Sequence, residues 1–309
     1  MPEAEFAEEE LWEAIKNCDG NKAPGPDGAN LLCFQKHWKL MKGEVIQFMK
    51  EFHTHCKLVR GINSSFITLV PKKENAGGLE DFRPISLVGS LYKILSKVLS
   101  CRLSKVLPEI ISEAQSAFLR GRNILDGVLI ANEVVDGWKK AKRKGVILKL
   151  DFEKAFDSVN WEFLFSLLSR FGFGERWIAW IKECVSTARL SVLVNGSPTE
   201  EFSPQKGLRQ GDTLSPFLFI IVAECRNVLL SRALDLNLIK GVRGGVNDVL
   251  VSHLQFADDS ILFCEADEGE IVNVKRILRC VELVSGLNIN YHKSVVCGVG
   301  VDSVALVDF

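Results

Sequence analysis

Three aspartates stand where a carboxylate needs a partner. Asp258 and Asp259 lie side by side in HLQFADDSILF, residues 253–263, between the apolar Leu254 and Phe256 on one side and Ile261, Leu262 and Phe263 on the other. Asp151 ends the apolar stretch VILKLD. An unpaired charge at the end of a buried strand is costly, so its partner is either a nearby Lys or Arg or a metal ion. For the Asp-Asp pair alone, a hairpin turn is the plain alternative, because Asp is a frequent turn residue. If the strand of Asp151 lies beside that hairpin, three carboxylates converge at one sheet edge. Such a set suits two metal ions roughly 3.5–4 Å apart that act on an in-line phosphoryl displacement. Mg²⁺ takes oxygen ligands, commonly one or two carboxylates plus substrate phosphates.

The elements that would position these groups are punctuated by Gly and Pro. Residues 5–18 read as a helix that stops at DGNKAPGPDGAN, and helical stretches follow to about residue 58. SSFITLVPKK and FRPISLV read as strands of a hairpin with Lys72, Lys73 and Arg83 near its tip. Leu91, Ile94, Leu95, Val98 and Leu99 share one helical face, in a helix that Pro108 is expected to end. After ISEAQSAFLRGRNILDG comes a helix through VLIANEVVDGWKKAKRK, then the strand ending in Asp151, a helix from about Trp161 to Gly172, and another in RWIAWIKECV. RLSVLVNG is a strand turning at Asn195-Gly196. The loop QKGLRQGDTLSP feeds an apolar helix whose first turn Pro216 suits, and a further helix spans about 268–285. Strands mix with helices without strict βαβ alternation, which favours α+β with an antiparallel sheet.

The chain has 309 residues, 47% hydrophobic and 25% charged, enough for two cores or one elaborate one. No uncharged apolar run is long enough for a membrane span: LSPFLFIIVAECRNVLLSRAL is interrupted by Glu224, Arg226 and Arg232 and reads as a buried helix. The acidic N-terminus resembles neither a secretory signal nor a transit peptide. Nine cysteines without CxxC or CxxH spacing read as small core residues in a reducing compartment, nucleus or cytoplasm. The net charge of −1 hides an asymmetry: residues 1–30 carry eight acids against two bases, whereas 139–149 carry six bases and no acid. Such a basic run is either a solvated face or a surface for a polyanion.

Taken in order, LKLDFEKAFDSVNW, KGLRQGDTLSPFLF, LQFADDSILF and GLNINYHKS resemble four palm motifs of reverse transcriptases. SSFITLVPKK, FRPISLVGSLYKILSKVL and QSAFLRGRNILDG resemble the fingers of the same family, and NKAPGPDG looks like the N-terminal extension of non-LTR, LINE-type retrotransposon enzymes, particularly plant ones. The resemblance covers about residues 10–300. It implies a right-hand polymerase fold: an N-terminal extension over 1–60, fingers over 61–125 and 161–205, a palm with an antiparallel sheet packed on helices over 126–160 and 206–300, and a truncated end at 301–309. The implied activity is RNA-directed DNA polymerase, a nucleotidyltransferase that joins a dNTP to a DNA primer 3′ hydroxyl on an RNA template with two Mg²⁺, or Mn²⁺, ions.

Residue by residue, the resemblance makes Asp151, Asp258 and Asp259 the metal-site carboxylates, with Asp258 the more direct ligand of the pair. Phe156 takes the place of the ribose gate, whose ring leaves no space for a 2′ hydroxyl. Lys72 and Arg83 match the positions that close on the triphosphate, with Lys73 able to substitute for Lys72. Gln210 and Gly211 match the loop against the incoming nucleotide and template. Arg209 suits a phosphate or backbone contact or a structural salt bridge. Lys293 matches the lysine that protonates the leaving pyrophosphate, and Asp157 lies beside the gate or caps the helix near Trp161. Two departures stand out: Thr213 replaces a proline common in the family's glycine loop, and the chain ends 16 residues after Lys293, so a thumb is expected to be absent or truncated. The alternative is a catalytically inactive, element-derived nucleic-acid-binding remnant. A palm-like nucleotide cyclase shares the acid-pair hairpin but leaves the fingers segment and the Gln210 loop unexplained.

Overall fold

A computed structural model describes residues 2–244 and 249–301. In chain order the elements are α1 (Glu8–Lys16), α2 (Leu31–Lys36), α3 (Trp38–His55), β1 (Ser64–Pro71), β2 (Phe82–Val88), α4 (Ser90–Ile110), α5 (Ile124–Lys140) and β3 (Gly145–Leu150). They continue with α6 (Ala155–Ser158), α7 (Trp161–Arg170), α8 (Glu175–Ser186), β4 (Arg189–Val194), β5 (Ser197–Pro198), α9 (Ser215–Asp235) and β6 (Val242–Gly244). The last are β7 (Val249–Val251), β8 (His253–Phe256), β9 (Asp259–Glu265), α10 (Glu268–Ser285) and β10 (Val295–Val299).

The chain divides into two compact units, one of residues 1–106 and 164–218, the other of 107–163 and 219–309. The first unit holds a sheet in the order β2-β1-β4-β5, in which only the β1–β4 pair is parallel. Its core gathers Leu11, Ile15, Met49, Phe52, Trp177 and Trp180, all fully buried. The proline-glycine loop after α1 is built into this unit. Asp27 Oδ2 accepts from both the backbone N–H and the hydroxyl of Ser90 at 2.5 Å, satisfying donors at the start of α4. Gly25 lies so close to the Val88–Gly89 peptide that a Cβ would overlap it.

The second unit holds an all-antiparallel sheet in the order β10-β3-β9-β8. Trp138 and Val134 of α5 pack with Phe263 of β9 and Val242 of β6 in its core. The expected antiparallel sheet with helices is found, and the chain is α+β.

Several local expectations are corrected. Pro108 does not end its helix: α4 runs on to Ile110. A proline so near the C-terminus forfeits one interior hydrogen bond, while Ile111 N–H still donates to the Leu107 carbonyl at 2.9 Å. Asp157 does not cap α7; Asn160 does, its Oδ1 accepting from Phe163 N–H at 3.1 Å. The compact units part at 106/107, 163/164 and 218/219. Residues 114–117 are drawn into the second unit because Gln115 forms a parallel bridge with Gln255 of β8. Of the expected truncated end at 301–309, residues 302–309 lie outside the described residues.

Candidate active site

All three aspartates lie in the second unit, at one end of its sheet. The antiparallel β3–β9 ladder ends with Leu150 opposite Ser260. Continued by one step, that ladder would bring Asp151 opposite Asp259, where opposed residues project from the same face. On the other side of β9, Phe256 pairs with Asp259, which leaves Ala257 and Asp258 as a two-residue hairpin loop. The acid pair is therefore a turn as well as a candidate site.

That turn is strained and held. Ala257 has φ +57°, a left-handed conformation uncommon for a residue with a Cβ. Its N–H donates to Gln115 Oε1 at 3.0 Å, and the same oxygen accepts from Ala117 N–H at 2.9 Å. Gln255 N–H donates to the Ala114 carbonyl at 2.8 Å, and Ser116 N–H donates to the Gln255 carbonyl at 3.0 Å. Gln115 is completely buried.

The backbone of Asp151 is fixed from the opposite side. Its N–H donates to Ser294 Oγ at 3.1 Å, and its carbonyl accepts from Asn290 N–H at 2.8 Å. The turn that carries Lys293 is thereby stitched to Asp151, and the Lys293 side chain is exposed. Glu153 N–H donates to the Asn288 carbonyl at 2.9 Å. Gly286, at φ +80°, closes α10 where a Cβ would run into the Ser158 carbonyl. Phe156 of α6 is half-buried, its ring stacked on Phe219 at 4.7 Å with 16° between planes.

Burial pushes the Asp258 carboxyl above the usual carboxylate range, and the charges of Asp259 and Asp151 push the same way, against its own backbone N–H and Arg226. Asp258 thus feels both of the other acids. Burial also raises Asp157. Beneath the hairpin, Arg226 of α9 is 2% exposed, with its guanidinium 4.9 Å from the centre of the Phe152 ring. With its oxygen turned toward α9, the Gln255 amide accepts from Arg226 Nε at 3.0 Å and Nη2 at 3.2 Å.

Among the described residues, no three His, Cys, Asp or Glu side chains stand close enough to hold a metal ion unaided. The donor set still suits Mg²⁺. It is all oxygen, its members repel one another, and Mg²⁺ commonly uses only one or two carboxylates with phosphates and water completing the shell.

The remaining candidates lie in the first unit. Val70 pairs with Arg83 in the β1–β2 ladder, and Lys72 follows β1 directly, its N–H donating to the Asp81 carbonyl at 2.8 Å. Lys72 Nζ donates to the Glu80 carbonyl at 2.7 Å, while Lys73 pairs with Asp81 at 2.7 Å. The Gln210 carbonyl accepts from Ser86 N–H at 2.7 Å, and Gly211 has φ +99°, with a Cβ position 3.0 Å from the Ser86 carbonyl oxygen. Close backbone approach therefore requires glycine there. Arg209 is committed to structure: it pairs with Asp212 at 3.2 Å, donates to Ser65 Oγ at 3.1 Å and lies 4.1 Å over the Tyr92 ring.

Sequence reasoning missed Gln115, Gln255 and Arg226. Only Arg226 left a trace, as a charge in an otherwise apolar helix, and it was read as an interruption rather than as a buried cation with partners.

The family described as Reverse transcriptase (RNA-dependent DNA polymerase) matches residues 70–303. The chain belongs to the reverse transcriptase family. This reverse transcriptase domain is 30% identical over 289 residues to the transposon TX1 uncharacterized 149 kDa protein of Xenopus laevis, covering 93% of the chain and 21% of that protein. It is 28% identical over 298 residues to the retrovirus-related Pol polyprotein from type-2 retrotransposable element R2DM of Drosophila melanogaster, covering 94% of the chain and 27% of that protein. The chain spans about a quarter of the length of these two relatives. Among solved structures it resembles apo telomerase from Candida tropicalis truncated from its C-terminal domain, with TM-score 0.54 and 15% identity, over 87% of this chain and 56% of that one. That likeness is one of fold. No helix of the described residues is long and apolar enough to cross a membrane.

Proposed function

We propose that the chain is the fingers-and-palm part of an RNA-directed DNA polymerase from a plant non-LTR retrotransposon, the source resting on the NKAPGPDG resemblance. The first unit serves as fingers, with residues 1–60 built onto it, and the second as palm. The observation that carries the reading is the β3–β9 pairing, which ends at Leu150 and Ser260 and so brings Asp151 to the same sheet end as Asp259 and the hairpin loop of Asp258.

In this reading Asp151 and Asp258, with Asp259, hold two Mg²⁺ ions, or Mn²⁺ in their place. When bound, the ions activate the primer 3′ hydroxyl and neutralise charge on the triphosphate. The half-buried ring of Phe156, backed by Phe219, presents a flat apolar wall that excludes a ribose 2′ hydroxyl. Lys72 and Arg83, near the tip of the β1–β2 hairpin, pair with triphosphate oxygens. Gln210 and Gly211 bring backbone against the nucleotide and template. Lys293, on the turn tied to Asp151, supplies a proton to the departing pyrophosphate. RNA template, DNA primer and dNTP are the implied partners. The nine free cysteines support an intracellular, reducing compartment, nucleus or cytoplasm.

The test is primer extension on poly(rA)/oligo(dT) with Mg²⁺ or Mn²⁺, beside a binding titration. Asp258→Asn is expected to abolish incorporation and leave primer–template binding nearly intact, because it removes a metal ligand and no phosphate contact. Binding without incorporation by the unsubstituted chain would assign it to the inactive-remnant reading.

A further inference from the structure

Arg226 is a cation inside an apolar helix, and the cost of burying it needs an explanation. Its side chain belongs to the interior of the second unit, at 2% exposure. Among the described residues it forms no ion pair, and the charge of the neighbouring Glu224 only partly offsets its burial. Burial lowers its pKa to about 10, which still leaves it protonated at neutral pH. A buried charge without a contact partner is destabilising, and a hydrophobic residue of similar volume would pack there at lower cost.

What the guanidinium touches supplies the reason. Its face lies on the ring of Phe152, the residue next to Asp151. Its edge forks onto the side chain of Gln255, the β8 residue three before Asp258. One rigid plane therefore contacts both chain segments that deliver the candidate ligands, and those segments come from different strands.

We propose that Arg226 is a positioning residue for the ion site: it sets the spacing of Asp151 and Asp258 through Phe152 and Gln255. This rests on the polymerase reading of the site. Lysine would keep the charge but cannot stack and fork at once, because the planar guanidinium alone has both a flat face and a two-donor edge.

The experiment uses the full chain with Arg226→Lys, Arg226→Met and Phe152→Leu. Thermal unfolding reports folding, the EPR signal of free Mn²⁺ reports ion affinity, and extension on poly(rA)/oligo(dT) reports activity. Groups that orient metal ligands typically contribute 10- to 100-fold in ion affinity. Arg226→Lys is expected to weaken Mn²⁺ binding by about tenfold or more, with little change in melting temperature or primer–template affinity. Arg226→Met should weaken it at least as much, and Phe152→Leu should weaken it with the cation still in place. Should Arg226→Lys fail to fold, Phe152→Leu is read by the same criterion. Folded variants whose Mn²⁺ affinity stays within about twofold of the parent chain would overturn the proposal. So would Mn²⁺ binding by the parent chain that Asp258→Asn leaves unchanged. Weakened Mn²⁺ binding in the variants, with no incorporation by the parent chain, would uphold the positioning role and refute the polymerase reading.

Discussion

Gln115→Met tests whether one side-chain oxygen holds the acid-bearing turn. The substitution keeps nearly the same volume and removes the acceptor shared by Ala117 N–H, at 2.9 Å, and Ala257 N–H, at 3.0 Å. A buried donor left without an acceptor costs about 1–3 kcal/mol, so two cost roughly 2–6 kcal/mol. The lower half of that range is expected, because the turn can relax locally rather than leave both donors fully unpaired. The loss falls on a residue at φ +57°, next to Asp258, so the turn should open locally before the unit unfolds. Native-state amide exchange at Ala117 and Ala257 is the direct assay, since two compact units need not unfold together. Protection at both amides should fall by an amount equivalent to about 2–4 kcal/mol, with incorporation falling alongside. A loss below about 1 kcal/mol would mean that Gln115 does not secure the turn.

His253 gives a pH prediction. Burial, with Arg226 second, lowers its pKa to about 3 from the ordinary 6.5, so the unfolded chain takes up a proton between those values that the folded chain refuses. Its contribution to stability is present above pH 6.5 and is lost as pH falls, by about 1.4 kcal/mol per pH unit. His253→Gln should flatten the stability profile between pH 6 and 4 by about that slope, and an unchanged slope would refute the assignment. Phe156→Ala should raise ribonucleotide relative to deoxynucleotide incorporation on the order of 10- to 100-fold; unchanged discrimination in an active chain would leave Phe156 a packing residue. Gly25→Ala should destabilise the first unit by about 1–3 kcal/mol through overlap with the Val88–Gly89 peptide. Gly43→Ala, in α3 with open space around it, should instead stabilise by about 0.5–1 kcal/mol. Urea midpoints of the two variants shifting the same way would contradict that contrast.

Features encoded by neighbours in the chain were legible in the sequence. The Asn195-Gly196 turn, with φ values of +51° and +82°, follows from residues that tolerate left-handed backbone. The helix expected at about 268–285 is α10, Glu268–Ser285, because its apolar period and the glycine at its end are local signals. The acid pair between two apolar strands marked a hairpin for the same reason. Where several ordered motifs lie on one chain, family membership was legible too.

The tertiary structure decided how distant segments meet. Asp151 and Asp259 reach the same sheet end through a strand register, Leu150 opposite Ser260, that neither strand specifies alone. Gln115 secures a turn 142 residues away. Arg209, open between a phosphate contact and a structural pair, is settled by the nearness of Asp212, Tyr92 and Ser65. Arg226 looked like a blemish in an apolar helix until Phe152 and Gln255 closed around it. Propensity and period act over a few residues, whereas burial, ion pairing and the sharing of a hydrogen-bond acceptor depend on atoms that only the packed chain brings within reach.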